Sequence, residues 1–513
     1  MRRTDQQSIA QVYHQKTKYY EAQMAEQQQP LNWDTQPSPF KAYHTEKKID
    51  LSPYLPLKDN PFTGKPLEPI PEEEGYPFTL GALSRLLYFT NGVTGILRYP
   101  SGDTLAMRAA PTAGGLYPAE IYVAVRNCTI LKDGIYNFQT NDHSLVLAWE
   151  GDFWNEFEKY CFDHEAIDTA NLLVITTAIF QRSAWRYRER AYRRILLDTG
   201  HVLGNLTAYA SEEGFFAYPI GKFVDHALNR LLFLEEALEG VLSVVALPQN
   251  PVRMNPSLRK PPDCPASETE NEVMSPLLLQ LHRGSSIRIK KDAPLSLPSP
   301  QPSMKALEKK YAFKETALLT GESIDWPGGL GQTILLRRST RAFTGESFSR
   351  EELASILEYG YGSLSPARSL LFSIPHLETY ILAQRIDGLE NGVYYYAPQS
   401  RELRLIYAGD FENQSWHFCL GQELARDAAA LVIHTAHLEN AMAQYGNRVY
   451  RYLHIDAGHI GERINLAAIR LGLGVSGIGG FYDDEVNALL GLPLEQIIVY
   501  ITTLGQPHGP RRS

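Results

Sequence analysis

One stretch of this chain is written twice. "YRERAYRRILLDTGH" begins at Tyr187 and "YGNRVYRYLHIDAGH" begins at Tyr445, 258 positions later. The same spacing joins "GIYNF" at Gly134 to "GVYYY" at Gly392, "GDF" at Gly151 to "GDF" at Gly409, and "LVIT" at Leu173 to "LVIH" at Leu431. Gly214, Gly221 and Phe223 fall opposite Gly472, Gly479 and Phe481. So long a period means two copies of a whole domain, not a solenoid of small repeats. A chain of 513 residues, 44% hydrophobic, has the length and the apolar content for two cores.

The stretch between the copies contains "PQNPVRMNPSLRKPPDCPASETENEVMSP" and "DAPLSLPSPQPS", whose prolines cannot enter a helix interior or a central strand. The expected organisation is an N-terminal arm over 1–65, a first domain over 66–250, a Pro-rich linker over 251–330 and a second domain over 331–513. Within the domains, short apolar runs such as "EIYVAV", "LLVITT" and "QIIVYITTL" read as buried strands. "TLGALSRLLYFT" and "SREELASILEYG" read as amphipathic helices. The class is α+β or α/β, with helices layered on a sheet.

A formal net charge of -9 lacks the basic stripe that a polyanion would need, which argues against a nucleic-acid partner. Cys128, Cys161, Cys264 and Cys419 form neither a C-x-x-C pair nor a dense disulfide framework, so a reducing cytoplasm is the expected location. No apolar run approaches the eighteen residues of a membrane span, and the first residues carry no apolar signal core.

"GLGVSGIGG", residues 472–480, contains a literal G-x-G-x-x-G. A dinucleotide fingerprint must follow a strand and open a helix. Here Ile460, Ile464, Ala467 and Leu471 form the apolar stripe of a helix that runs into the glycines, so Gly472 reads as its C-cap. "ILLRRSTRAFTGESFSREELASIL" places Arg337, Arg338, Ser339 and Arg341 just before a helix. Guanidinium forks with a hydroxyl suit a phosphate monoester, although a solvated basic turn has the same composition. "RAAPTAGGLYPAEIY", residues 108–122, is a small-residue loop in which Gly114 and Gly115 would let a planar ligand approach and Thr112 would offer a hydroxyl; a plain turn reads the same.

Taken together, "RRSTRAF", "RAAPTAGGLYPAEIY" and the glycines after the central helix resemble the FMN-dependent nitroreductase superfamily. "QVYHQKTKYY", "GIYNF" and "YRERAYRRILLDTGH" are most similar to its SagB-type (azoline) dehydrogenases. The resemblance implies two tandem nitroreductase-like α/β sandwich domains forming an intramolecular pseudo-dimer, with FMN as cofactor. By motif it implies a phosphate arm of Arg337, Ser339 and Arg341, with Arg511 and Arg512 as last phosphate contacts. It implies a flavin-ring segment of Ser476, Gly477, Ile478, Gly479 and Gly480 and a facing loop of Pro111, Thr112, Ala113 and Gly114. The substrate would be a small organic molecule or a peptide, with NAD(P)H or O2 as redox partner; a non-catalytic flavin- or peptide-binding module derived from the same fold is the alternative.

The copies differ in a complementary way. The first has "NPFTGKPLEPIPEEEGYPF" in place of "RRSTR" and "GFFAYPIGKF" in place of the glycines, while the second has "RSLLFSIPHLETY" in place of the small-residue loop. One complete flavin site per chain is therefore expected. SagB-type dehydrogenases resemble one another in a Lys-Tyr pair, matched here by Arg186-Tyr187 and Gln444-Tyr445, so the lysine is missing from both. Tyr187, in the half that keeps Thr112, is the candidate substrate-facing residue, together with Arg186. Asp198 and His201 recur as Asp456 and His459, three apart on a helix, and read as capping and packing residues and not as a metal pair.

Overall fold

The computed structural model describes residues 7–26, 31–43, 48–67, 74–98, 100, 104–251, 276–288, 305–326, 328–362 and 376–509. The chain divides into two compact units. One is built mainly on residues 33–279; the other is built on 297–513 and also takes the helix Ile9–Lys16 and residues 280–285.

The first unit holds a seven-stranded sheet of β1 (Lys48–Asp50), β2 (Ala119–Val125), β3 (Gly134–Gln139), β4 (Ser144–Glu150), β5 (Leu172–Ile179), β6 (Tyr218–Ile220) and β7 (Glu239–Ala246), in the order β1-β4-β3-β2-β5-β7-β6. The second holds β8 (Thr316–Leu318), β9 (Leu377–Ala383), β10 (Gly392–Ala397), β11 (Glu402–Ala408), β12 (Ala430–His437), β13 (Gly474–Ile478) and β14 (Gln496–Gly505), in the order β8-β11-β10-β9-β12-β14-β13. The two orders are the same path drawn twice.

The duplication holds at the level of register. Tyr122 faces Ile175 as Tyr380 faces Ile433, and the irregularity between Thr176 and Thr177 recurs between His434 and Thr435. The central strands are buried throughout, so their sequences are near-continuous apolar runs without a solvent face. Over each sheet lies a long helix, α3 (Ala191–Tyr209) or α6 (Val449–Arg470), buried along almost its whole length. The helices expected from periodicity are α1 (Leu80–Asn91), capped by the Thr79 side chain, and α4 (Arg350–Tyr361), which opens on a Ser349–Glu352 capping box. α2 (Phe180–Tyr187) and α5 (Leu438–Tyr445) lead into the long helices.

The expected starts of the two domains, at 66 and 331, each cut off a sheet strand. β1 lies in the stretch assigned to the arm and pairs Lys48 with Val146; β8 lies in the stretch assigned to the linker and pairs Thr316 with Arg404. Each has only three residues, too few for a period-two pattern, and is held by its neighbour in the sheet. The linker stretch also holds the helices Leu277–Gly284 and Lys305–Lys309, while 252–275 and 289–304 lie outside the described residues. The arm is divided: helix Ile9–Lys16 belongs with the second unit, where Tyr13 meets Tyr450 edge-on and His14 Nδ1 lies 3.1 Å from the Tyr450 hydroxyl. Among the described residues no helix is long and apolar enough to cross a membrane.

Candidate functional site

In the second unit, Gly472 has φ +75 and ends α6; its amide donates to the Ile469 carbonyl and that of Leu473 to the Ala468 carbonyl. This double bond is the Schellman arrangement, so the first glycine is a helix cap, as expected. Gly214 does the same for the first unit, at φ +77, with Gly214 and Phe215 donating to Ser211 and Ala210. Of the remaining glycines, Gly474 and Gly477 lie on β13, an edge strand paired only with β14, and have no glycine opposite them in the first unit; Gly479, matched by Gly221, and Gly480 follow the strand. An edge strand leaves alternate backbone amides facing away from the sheet.

Residues 337–341 are laid along this edge. The Thr340 amide donates to the Val475 carbonyl and the Val475 amide to the Thr340 hydroxyl oxygen, both at 2.9 Å. A Cβ on Gly474 would come within 2.8 Å of Thr340 Oγ1 and of the Phe343 ring, so only glycine lets the arm close on the strand. A Cβ on Gly477 would run into the Tyr500 hydroxyl. The first unit has Phe216 and Pro219 at these two positions. Ser476, Ile478 and Gly480 are buried, Gly477 is exposed and Gly479 half-buried, so the expected ring segment presents backbone at the sheet edge.

The arm's residues do not stand alike. Arg341 is exposed and Ser339 half-buried, whereas Arg337 is buried with its Nε 3.9 Å from a Glu462 carboxylate that is itself wholly buried on α6. Two buried opposite charges hold each other in place. Glu462 has Gly204 as its first-unit counterpart, so the brace and the arm occur together. Arg511 and Arg512 lie outside the described residues, as do residues 68–73 of the first-unit stretch and 368–375 of the second-unit stretch compared with the arm and the loop.

In the first unit, Pro111, Thr112 and Ala113 are half-buried and Gly114 exposed. Gly114 and Gly115 have φ +69 and +72, which glycine adopts without strain. The Thr112 hydroxyl donates to Asp198 Oδ2 at 2.5 Å, and the Ala113 amide donates to Oδ1 at 3.2 Å. Thr112 also accepts the Tyr117 amide, so its proton is committed inside the protein and is not offered to a ligand. Burial pushes the Asp198 carboxyl up to about 6, against the lowering effect of the Thr112 and Ala113 hydrogen bonds. Asp198 thus packs as expected, and beyond that it anchors the loop. Arg108, fully buried, donates to the Ala119 and Pro39 carbonyls and lies over the Tyr117 ring; burial lowers it to about 10.

The structure brings the Arg186-Tyr187 pair to this loop. A Cβ on Gly114 would sit 2.7 Å from the Tyr187 hydroxyl and 3.3 Å from Arg186 Cδ. Tyr187, half-buried at the end of α2, has the Arg194 guanidinium over its ring at 3.8 Å and that of Arg186 at 5.7 Å. Arg194, Asp198 as loop anchor, and Glu462 were not singled out for these roles by motif. The signal for two of them was the mismatch at the 258 spacing: Arg194 faces Tyr452, and Glu462 faces Gly204.

Comparison with known proteins places this geometry. The family model described as the nitroreductase family matches residues 80–247 and again 334–506, one match in each unit. A crystal structure of a nitroreductase-type protein from Anabaena variabilis is 40% identical, covers 98% of this chain and 100% of its own, and superposes with a TM-score of 0.82. A nitroreductase-type protein of Methanocaldococcus jannaschii is 30% identical over 160 residues, which is 31% of this chain and 77% of that protein.

Proposed function

The chain belongs to the nitroreductase family, a family of flavin-type oxidoreductases, and on that premise we propose that it is an FMN-dependent enzyme moving two electrons between flavin and a small organic or peptide substrate. The observation that carries this reading is the arm of 337–341 stitched to β13 through Thr340 and Val475. The residues fit a flavin mononucleotide. Arg341 and Ser339 are accessible donors for a phosphate monoester, and Arg337 braces them from below through Glu462. The glycines keep side chains away from the edge, so backbone amides of Ser476–Gly480 can approach the ring system where negative charge gathers on reduction.

When bound, FMN supplies the reversible two-electron chemistry. The chain supplies position and polarity. Arg341 and Ser339 would hold the phosphate, and β13 would present backbone donors to the ring. Tyr187 and Arg186 face the substrate beside a loop that Asp198 and Arg108 hold rigid. The missing lysine of the Lys-Tyr pair argues for a substrate other than an azoline, with NAD(P)H or O2 as the second redox partner.

The test is the flavin itself. The purified chain should show flavin absorbance, and heat extraction with chromatography should release FMN. FAD, or no flavin after reconstitution, contradicts the proposal, because the arm provides for a single phosphate monoester.

A further inference from the structure

The two sheets end on different kinds of edge. β1 and β8 are the outermost strands of their sheets and hold the same place, Lys48 against Val146 and Thr316 against Arg404. In β1, Lys48 and Asp50 are exposed, and Lys48 Nζ lies 2.6 Å from Asp142. Charged side chains, lysine above all, keep a sheet edge from adding a further strand. β8 has Thr316 and Leu318 at these two positions and carries no charge. Leu318 is 58% exposed, and Phe313, just before the strand, is 84% exposed. The second unit lacks the protection that the first unit keeps.

The backbone of β8 is open on the same side. The Leu319 amide donates to the Arg401 carbonyl at 2.8 Å, and the Leu405 amide donates to the Glu315 carbonyl at 2.9 Å. The odd-numbered residues of this stretch therefore face β11, and Thr316 and Leu318 turn their amides and carbonyls outward. Among the described residues no backbone group takes these up. The Thr316 hydroxyl is spent on the Lys314 carbonyl. β8 and β13 are opposite edges of one sheet, so a strand added to β8 leaves β13 uncovered.

We infer that β8 is the contact surface between two molecules of this protein, whose β8 strands pair antiparallel about a two-fold axis at Ala317. That axis sets Thr316 against the partner's Leu318 and Leu318 against the partner's Thr316. Both are hydrogen-bonded pairs, which satisfy every outward amide and carbonyl of the two strands. Ala317 meets itself on the axis, where a charged residue would face its like. Within the strands the opposed side chains are leucine with threonine and alanine with alanine, so a second copy of β8 fits with no charge left to desolvate. An edge of the β1 kind would set lysine or aspartate against Leu318.

The test is sedimentation velocity of the purified full chain over about a hundredfold range of concentration. Wild type should pass from the mass of one chain to that of two as concentration rises. Leu318→Lys, which gives β8 a protected edge, should stay at one-chain mass throughout with an unchanged Tm. Ala317→Cys tests the register. A non-hydrogen-bonded pair holds its Cα atoms about 4.5 Å apart, within reach of a disulfide, so mild oxidation should link the two chains through residue 317. Peptide mass separates that link from one made by the four native cysteines. Glu315→Cys, which the axis sets against the partner's Leu319, should not link to itself. One-chain mass for wild type at every concentration would overturn the inference. So would a wild-type dimer that Leu318→Lys leaves intact, or Glu315→Cys linking as readily as Ala317→Cys.

Discussion

The strands β13 and β6 occupy the same place in two copies of one sheet, yet one is built of glycines with an arm laid on it and the other reads Tyr-Pro-Ile. The helical run before each is closed by a glycine at φ +75 or +77 with the same pair of capping bonds, although in the first unit its last turn is a 3-10 turn, Ala210–Glu213. The comparison separates two kinds of glycine that look alike in sequence. Gly472 and Gly214 serve the backbone of the fold and occur twice. Gly474 and Gly477 make room, the first for Thr340 and Phe343 and the second for Tyr500, and occur once. A duplicated chain thus contains its own control: what both copies keep holds the fold together, and what one copy keeps alone is a candidate for function.

The largest effect expected from this contrast concerns Asp198. Its carboxyl is raised from 3.8 to about 6, so between those values the folded chain holds a proton that the unfolded chain has released. The stabilising contribution is complete below about 4 and is lost as pH rises through about 6. A shift of this size corresponds to about 3 kcal/mol. Thermal melts from pH 4 to 7 should show wild type losing stability that Asp198→Asn does not lose. Asp456→Asn is the matched control, since the second copy has Leu370 where Thr112 stands. Equal pH profiles for wild type and Asp198→Asn would contradict a buried Asp198 carboxyl that titrates near 6.

Next is the arm. Arg341→Ala should weaken FMN binding by about 1.5 to 3 kcal/mol, the scale of a charge-assisted hydrogen bond, measured by flavin fluorescence on titration of the apoprotein. Substitutions in the first-unit stretch that replaces the arm, such as Lys65→Ala, should leave flavin affinity unchanged. Equal losses from both would abolish the asymmetry. The smallest effect is the shared one. Gly214→Ala and Gly472→Ala should each cost about 1 kcal/mol of stability, because alanine is strained at positive φ, and neither copy should suffer much more than the other.

Much of this was legible in the residues. The 258 spacing announced two domains, and the burial of the central strands follows from runs such as "EIYVAV" and "LLVITT". Gly472 was readable as a cap because a cap is a local matter of helix periodicity and a glycine. What was not legible depends on distant partners. β1 and β8 have three residues each and no pattern of their own; their strand character comes from β4 and β11. Helix Ile9–Lys16 precedes the first domain in sequence but belongs with the second unit, where Tyr450 holds it. Arg337 was readable as a cation near a helix, whereas its brace Glu462, far along the chain, becomes visible only when α6 is folded. In sequence the Thr112 hydroxyl stands open to a ligand; the packing of α3 gives it to Asp198.

The most direct test of the account is the flavin content per chain. The arm and the β13 glycines occur once, and the small-residue loop occurs once, so the proposal provides for one flavin per chain. Absorbance of the reconstituted, desalted protein against its amino-acid content should give one FMN per chain, in a monomer as in any oligomer. A ratio of two would contradict the account, because it would mean that the copy without arm or glycines still binds flavin.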